Sequence, residues 1–230
     1  GLGSVSVGAL IAACSDDEER PSATGEGRVA DMDAGRTCSL TAEQTEGPFY
    51  FDVDRIRGDI TEDREGTRLR VALRVRDAES CEPIENAVVD IWHCDATGLY
   101  SGFESASTGA GPGGGGGGRT DDETYLRGAQ ATNEDGIVQF RTIYPGWYRG
   151  RTVHIHAKVH LDRRTVLTSQ LSFADDVTER VYAREPYRGV GRRDTLNADD
   201  GIYREELELT LRDEGGDGVL GLITFDVDRA

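Results

Sequence analysis

The sequence predicts an all-β fold, a β-sandwich with long loops and at most one short helix. Three observations carry this: short runs alternating apolar with polar residues, turn signals between those runs, and little apolar spacing at helical period. Glycine, at 30 of 230 residues, fits a chain that turns often. That length leaves room for one domain with a sizeable core.

Two segments unlike the rest precede the domain. Gly1–Cys14 is a small apolar run ending in Leu10-Ile11-Ala12-Ala13-Cys14, after which the chain turns acidic. It resembles the tail of a bacterial lipoprotein signal peptide, with Cys14 as the lipid-modified first residue of the mature chain, so the sequence is expected to begin part-way through that signal. The run is too short to cross a bilayer, which takes roughly 20 apolar residues. Residues 15–37 are polar and acidic and are expected to be a flexible tether. The implied address is extracytoplasmic, with the chain lipid-anchored or secreted.

Residues 38–230 are expected to form the domain. Thr41–Tyr50 is an extended leading segment, because Gly47-Pro48 bars a helix. Arg68–Asp77 alternates most cleanly: Leu69, Val71, Leu73 and Val75 point inward, and Arg68, Arg70, Arg74 and Arg76 point outward to solvent. Ala78–Asn86 connects this strand to Ala87–Cys94, a returning arm apolar enough for burial on both faces. Gly109–Gly118 carries six consecutive glycines and is expected to be a mobile loop. It lacks the strand–helix context and the following Lys of a phosphate-binding loop.

Tyr125–Gly136 leads through the Asp135-Gly136 turn into a strand at Ile137–Ile143, and a Pro145-Gly146 turn follows. Thr165–Phe173 is a further strand, with Gln170 on the face of Val166 and Thr168. Asp175–Arg184 is the helical candidate, with Asp175 and Asp176 as caps and Val177, Val181 and Tyr182 at helical spacing. Glu205–Leu211 and Val219–Val227 close the domain around a Gly215-Gly216-Asp217-Gly218 turn.

The net charge of -17 and a pI near 4.6 argue against polyanionic partners, since nucleic acid and anionic lipid surfaces would repel the chain. Membrane contact is expected only through the anchor at Cys14, and a homodimer is the expected assembly. With Cys14 modified, Cys38, Cys81 and Cys94 remain in a compartment that permits disulfides. One bridge is expected. Cys38 can reach either Cys81, before the returning arm, or Cys94, at its end, and spacing does not decide between them.

Chemistry concentrates in Ile143–His160. From Val153 to Val159 strict alternation turns Val153, Ile155, Ala157 and Val159 to one face and His154, His156 and Lys158 to the other. Two imidazoles at i and i+2 have Cα atoms roughly 7 Å apart, from which ring nitrogens can converge on one metal ion. Tyr148, just past the Pro145-Gly146 turn, and Tyr100, after Gly98, are placed to complete the shell. Two phenolates with two neutral imidazoles make a hard N/O donor set that suits ferric iron, Fe(3+), better than zinc. His93 reads as a hydrogen-bonded core residue and His160 as outer-shell or exposed. Tyr144 and Trp147 read as packing or pocket wall, and Tyr50 as either core or substrate mouth.

These residues resemble the intradiol ring-cleavage dioxygenases, the family of protocatechuate 3,4-dioxygenase and catechol 1,2-dioxygenase, from about Cys38 to Tyr203. The blocks run in order: Thr45–Tyr50, Pro83–Tyr100, Arg127-Gly128, Asp135-Gly136, Thr142–Tyr148 and Arg151–His156. The resemblance implies that Tyr100, Tyr148, His154 and His156 ligate a non-haem ferric ion, that Arg151 stabilises charge on the ring, and that Gln170 lies in the pocket wall. It implies cleavage of a catechol with O2 between its two hydroxylated carbons, with Tyr148 leaving the metal to help deprotonate the substrate, and a muconate-type dicarboxylic acid as product. The gap between Tyr148 and His154 is shorter than in protocatechuate 3,4-dioxygenase, and Tyr144 stands where that family often has another residue.

Two other classes share parts of the pattern. A transthyretin-like binding module on a lipid anchor would share residues 68–100 but gives no reason for the spacing of Tyr148, Arg151, His154 and His156. A cupin-like site would want a carboxylate about four residues after His-x-His and a later third histidine, which the sequence lacks.

Overall fold

The computed structural model describes residues 37–107 and 118–229, together with Val29 and Met32. Its strands are β1 (Arg68–Asp77), β2 (Val88–Trp92), β3 (Arg127–Ala131), β4 (Ile137–Ile143), β5 (His154–Leu161), β6 (Arg164–Ser172), β7 (Thr210–Gly215) and β8 (Gly218–Val227). They form two four-stranded sheets, ordered β4-β1-β8-β7 and β3-β2-β5-β6. The first places β1 antiparallel to β4 and parallel to β8, and the second places β5 antiparallel to both β2 and β6.

The core lies between the sheets because alternation gives each strand one apolar face. Val71, Leu73 and Val75 of β1 are fully buried, as are Val89 and Ile91 of β2 and Ile155, Ala157 and Val159 of β5. Each large aliphatic side chain removed from water in this way stabilises the fold by about 1.5–3 kcal/mol. The sandwich thus fixes β5 as a central strand with one face in the core.

Several expectations are corrected. The returning arm does not pair with β1. Val88–Trp92 crosses to the second sheet and hydrogen-bonds β3 and β5 instead. The outward face of β1 is not simply solvated, because position 72 is Ala and the Arg76 guanidinium is buried in a two-pronged pair with Asp226, at 2.8 and 3.1 Å. Around Ala72, the side chains of Ile137, Leu220 and Leu222 make a second apolar patch on which Val29 is buried and Met32 packs. Those two residues of the expected tether are thus docked. The remainder of residues 1–36, including Cys14, and residues 108–117 of the glycine-rich stretch lie outside the described residues.

Two α-helices are present among the described residues, one more than expected: the single turn α1 (Glu104–Ser107) and α2 (Asp175–Tyr182). Asp175 and Asp176 sit in the first turn of α2, where they favour the helix dipole, while Ala174 holds the cap position without a side-chain bond. Glu205–Leu207 is a 3-10 turn and the strand begins only at Thr210. The disulfide joins Cys38 to Cys81, and Cys94 is a buried free thiol. Closing a loop of 43 residues is worth about 4 kcal/mol in the chain-entropy account.

Candidate metal centre

The polar face of β5 is covered by the leading segment, which runs across β5 and β6 outside the core. Gln44 N–H donates to the Thr168 carbonyl at 2.8 Å, and the Ser169 hydroxyl donates to the Ala42 carbonyl at 3.0 Å. Gly47, at φ +74°, lies against the His156 ring, and an added Cβ would stand 3.1 Å from its Cε1. His154 and His156 are consequently 3% and 2% exposed, a burial that alternation alone does not predict.

Tyr100 and Tyr148 reach this face from two loops braced on one another. The Gly146 N–H donates to the Asp95 carbonyl at 3.0 Å. Gly98, at φ +91°, has no room for a side chain against the Trp147 carbonyl. The two phenol rings meet edge to face, with centroids 5.8 Å apart. Pro145 and Tyr144 are pinned from the other side, their carbonyls accepting the hydroxyls of Tyr182 and Tyr187 at 2.9 and 2.7 Å.

The four side chains converge. The Tyr148 hydroxyl is 3.0 Å from His154 Nε2, which is 3.2 Å from His156 Nε2. His154 Nδ1 faces the Thr152 carbonyl at 2.7 Å, so this nitrogen carries the proton and Nε2 holds the lone pair. A single lone pair is then faced by both a phenol and a second imidazole. The Tyr100 hydroxyl, fully buried beside them, has no well-formed hydrogen bond, although the charge and hydroxyl of Tyr148 act on it. An over-subscribed nitrogen and an orphaned phenol are what a cation between the four groups would resolve.

Electrostatics agree. Burial, with Arg151 nearby, holds the His154 imidazole neutral by pulling its pKa down to about 3, and burial with His154 does the same to His156. Burial pushes the Tyr148 phenol up to about 12 and the Tyr100 phenol well above the ordinary range. The pocket thus offers neutral nitrogens ready to ligate, and phenols that give up their protons in exchange for a strong Lewis acid. This hard donor set fits Fe(3+).

Arg151 stands beside the ligands and is held on two sides. Its Nε donates to Asp200 Oδ2 at 2.9 Å and its Nη2 to Gln170 Oε1 at 2.5 Å, while Gln170 Nε2 donates to the Thr45 carbonyl at 2.7 Å. Gln170 therefore anchors the arginine to the leading segment. Asp200 also accepts the Thr152 N–H at 2.9 Å. The N–H groups of Ile202 and Thr152 and the Arg151 guanidinium keep it ionised against the upward pull of burial. Asn197 and Asp194 tie down the same stretch by accepting from the Thr152 hydroxyl at 2.5 Å and the Gly150 N–H at 3.1 Å.

All six predicted site residues, Tyr100, Tyr148, Arg151, His154, His156 and Gln170, are brought together. His93 is a core residue, with ring nitrogens 2.8 Å from the Cys94 carbonyl and 2.7 Å from Thr142 Oγ1. His160 lies apart, against Thr165. Tyr144 is buried and bonded to Thr178. Tyr50 is half-buried and packs on Trp92, which stacks on His156 at 4.8 Å and 7°. The sequence reading missed the 194–200 clamp and Trp92. An Asp199-Asp200-Gly201 run reads only as a turn.

The chain matches known proteins in sequence and in fold. A family model described as "Dioxygenase" matches residues 45–183. The intradiol ring-cleavage dioxygenase of Tetranychus urticae superposes with TM-score 0.76 at 34% identity, covering 83% of this chain and 95% of that one. The dioxygenase domain of a dioxygenase–carbohydrate-binding fusion from Streptomyces sp. SirexAA-E gives TM-score 0.60 at 31% identity, covering 84% and 100%. Chlorocatechol 1,2-dioxygenase of Rhodococcus opacus is 31% identical over 50% of this chain and 46% of its own. Catechol 1,2-dioxygenase 1 of Acinetobacter lwoffii is 29% identical over 79% and 57%. The chain spans about half the length of the curated relatives it matches. It belongs to the intradiol ring-cleavage dioxygenase family.

Proposed function

We propose that the protein is a non-haem Fe(3+)-dependent intradiol dioxygenase that opens a catechol between its two hydroxylated carbons with O2, giving a cis,cis-muconate-type dicarboxylic acid. The observation that carries this reading is the convergence of Tyr148, His154 and His156 within 3.0–3.2 Å beside the orphaned Tyr100 hydroxyl. Tyr100, Tyr148, His154 and His156 would hold the metal. When bound, ferric iron would take up the catechol through its oxygens and prepare its ring for dioxygen.

The chain's own residues divide the remaining work. Tyr148 sits on the Pro145-Gly146 arm beside His154, and once ionised by the metal its phenolate oxygen would be the group placed to take a proton from an incoming catechol hydroxyl. Arg151, braced by Asp200 and Gln170, sets a fixed positive charge where negative charge develops on the ring. Phe49, Trp92 and Phe103 pack beside Tyr100 and keep bulk water off the ligands.

An extracytoplasmic address with an acyl group on Cys14 belongs to the same proposal, and the Cys38–Cys81 bridge supports an oxidising compartment. Mass analysis of membrane-extracted protein, with a lipid-bearing Cys14 expected, checks it.

Oxygen uptake by iron-loaded protein across a catechol panel, with product identification, tests the activity. Uptake with a muconate product is expected, in a protein coloured by phenolate-to-iron charge transfer. An extradiol semialdehyde, or no uptake with any catechol, would overturn the reading.

A further inference from the structure

Trp92 and His156 are direct partners across the antiparallel pairing of β2 with β5, and both are buried. Residues opposite one another in such a pair have Cβ atoms about 4.5–5.5 Å apart, close enough for flat side chains to stack. Here the indole and imidazole lie nearly parallel, with centroids 4.8 Å and planes 7° apart. Neither polar edge is hydrogen-bonded: Trp92 Nε1 and His156 Nδ1 are both buried without a partner among the described residues. Ring contact, on top of the strand pairing, is what holds the two together.

A ligating histidine is ordinarily oriented by a hydrogen bond from its second ring nitrogen, which fixes the tautomer and the ring plane. His154 has that bond, from Nδ1 to the Thr152 carbonyl at 2.7 Å. His156 does not. Its plane lies on Trp92, and its Cε1 edge faces Gly47, where an added Cβ would stand 3.1 Å away. Trp92 in turn packs against the Tyr50 ring at 4.7 Å, and the Lys158 ammonium, paired with Glu46 of the leading segment, lies over Tyr50 at 3.9 Å. We infer that Trp92 is the positioning residue of His156: the indole holds the imidazole plane so that Nε2 stays 3.2 Å from His154 Nε2, the task that the Thr152 carbonyl performs for His154. The inference rests on the reading of Tyr100, Tyr148, His154 and His156 as a ferric site, and it goes beyond that reading in giving the two histidines different supports.

The test compares Trp92→Leu, Trp92→Phe and Val89→Ala with the parent, all as the whole chain. Val89 lies on the same strand but in the core, so its truncation disturbs β2 from the other face. In metal-free protein the His156 Cε1 proton is followed by NMR, where the ring current of the indole places it upfield. In ferric-loaded protein, affinity is read by citrate competition. Trp92→Leu is expected to move the resonance downfield and to lower ferric affinity about tenfold, the upper end of what one aromatic pair contributes. Trp92→Phe keeps an aromatic face and is expected to retain most of both. Val89→Ala is expected to lower the melting temperature and leave both readouts in place.

Undiminished ferric affinity in folded Trp92→Leu would overturn the inference even if the resonance moves, because the stack would then serve packing alone. So would a Val89→Ala loss of affinity as large as that of Trp92→Leu, which reports a general loosening of the sheet. If Trp92→Leu does not fold, Tyr50→Leu decides, since Tyr50 is only half-buried and losing its ring leaves Trp92 free to tilt. A moved His156 resonance with weakened ferric binding then supports the inference, and the absence of either change overturns it. A parent protein without the upfield resonance overturns the stack alone, whereas one that shows the resonance and binds no ferric ion brings down the metal-centre reading itself and the role given to Trp92 with it.

Discussion

Strand β1 sends Leu69, Val71, Leu73 and Val75 into the core and Arg68, Arg70 and Arg74 away from it, and those three residues stay exposed or part-exposed. Strand β5 sends Ile155, Ala157 and Val159 into the same core and His154, His156 and Lys158 away from it, and there the polar side chains are buried. The pattern of alternation is the same and the outcome differs, because the leading segment is laid across β5 and the rest of its sheet. Imidazoles can be buried neutral at modest cost, whereas a buried Lys158 needs the paired carboxylate of Glu46 from the leading segment. A polar face that carries two buried neutral imidazoles at its entrance is arranged for chemistry, while the polar face of β1 is arranged for ion pairing.

The sharpest way to break this comparison is to damage each strand in turn. His154→Ala or His156→Ala should abolish ferric binding and lower oxygen uptake by more than about 10³-fold, the scale on which members of a catalytic unit act, with circular dichroism unchanged. Leu73→Ala on β1 should cost about 2–5 kcal/mol in denaturant unfolding and leave kcat unchanged where the protein is folded. A histidine variant that unfolds the chain, or a folded Leu73→Ala protein without activity, would erase the distinction.

A smaller effect is expected one step out from the ligands. Arg151→Gln should lower kcat/KM by about 10²–10³-fold, as removing one preorganised donor does, with the loss in kcat rather than KM. Asp200→Asn keeps the shape of the clamp and weakens its hold on Arg151 and Thr152, so about 10–100-fold is expected. If Asp200→Asn costs as much as Arg151→Gln, the carboxylate is doing more than holding the guanidinium.

The uneven legibility of these residues has a physical basis. Alternation is local, so β1, β4, β5, β6 and β8 could be read in place, and so could the shared face of His154 and His156. Turn and strand-end positions pointed to Tyr100 and Tyr148, and resemblance supplied Arg151 and Gln170. What could not be read depends on pairing across the chain. The leading segment over β5 lies more than 100 residues upstream, and the Asp200 carboxylate that grips Arg151 is 49 residues downstream. The Cys38–Cys81 bridge joins positions 43 residues apart, and nothing in the local pattern at Cys81 or Cys94 marks either as the partner.

The smallest predicted effect is on pH dependence, and it separates two buried groups of opposite sign on neighbouring strands. In metal-free protein His154 is pulled down to about 3, so between pH 6.5 and 3 the unfolded chain binds a proton that the folded chain refuses, and stability should fall as the solution is acidified through that window. Asp90 on β2 behaves oppositely. Burial pushes it up to about 7, with the nearby Asp52 adding to the rise and the Tyr50 hydroxyl and Arg127 opposing it. The folded chain therefore holds a proton that the unfolded chain releases between about pH 4 and 7, and stability from this group falls as pH rises through that window. Asp90→Asn should accordingly raise the metal-free melting temperature at pH 8 and leave it nearly unchanged at pH 4. His154→Gln should flatten the acid limb and leave the pH 8 value nearly unchanged. Thermal scans across pH 3–8 read both. Equal shifts at pH 4 and pH 8 for Asp90→Asn would mean that its carboxyl is paired rather than stranded beneath the segment that covers the site.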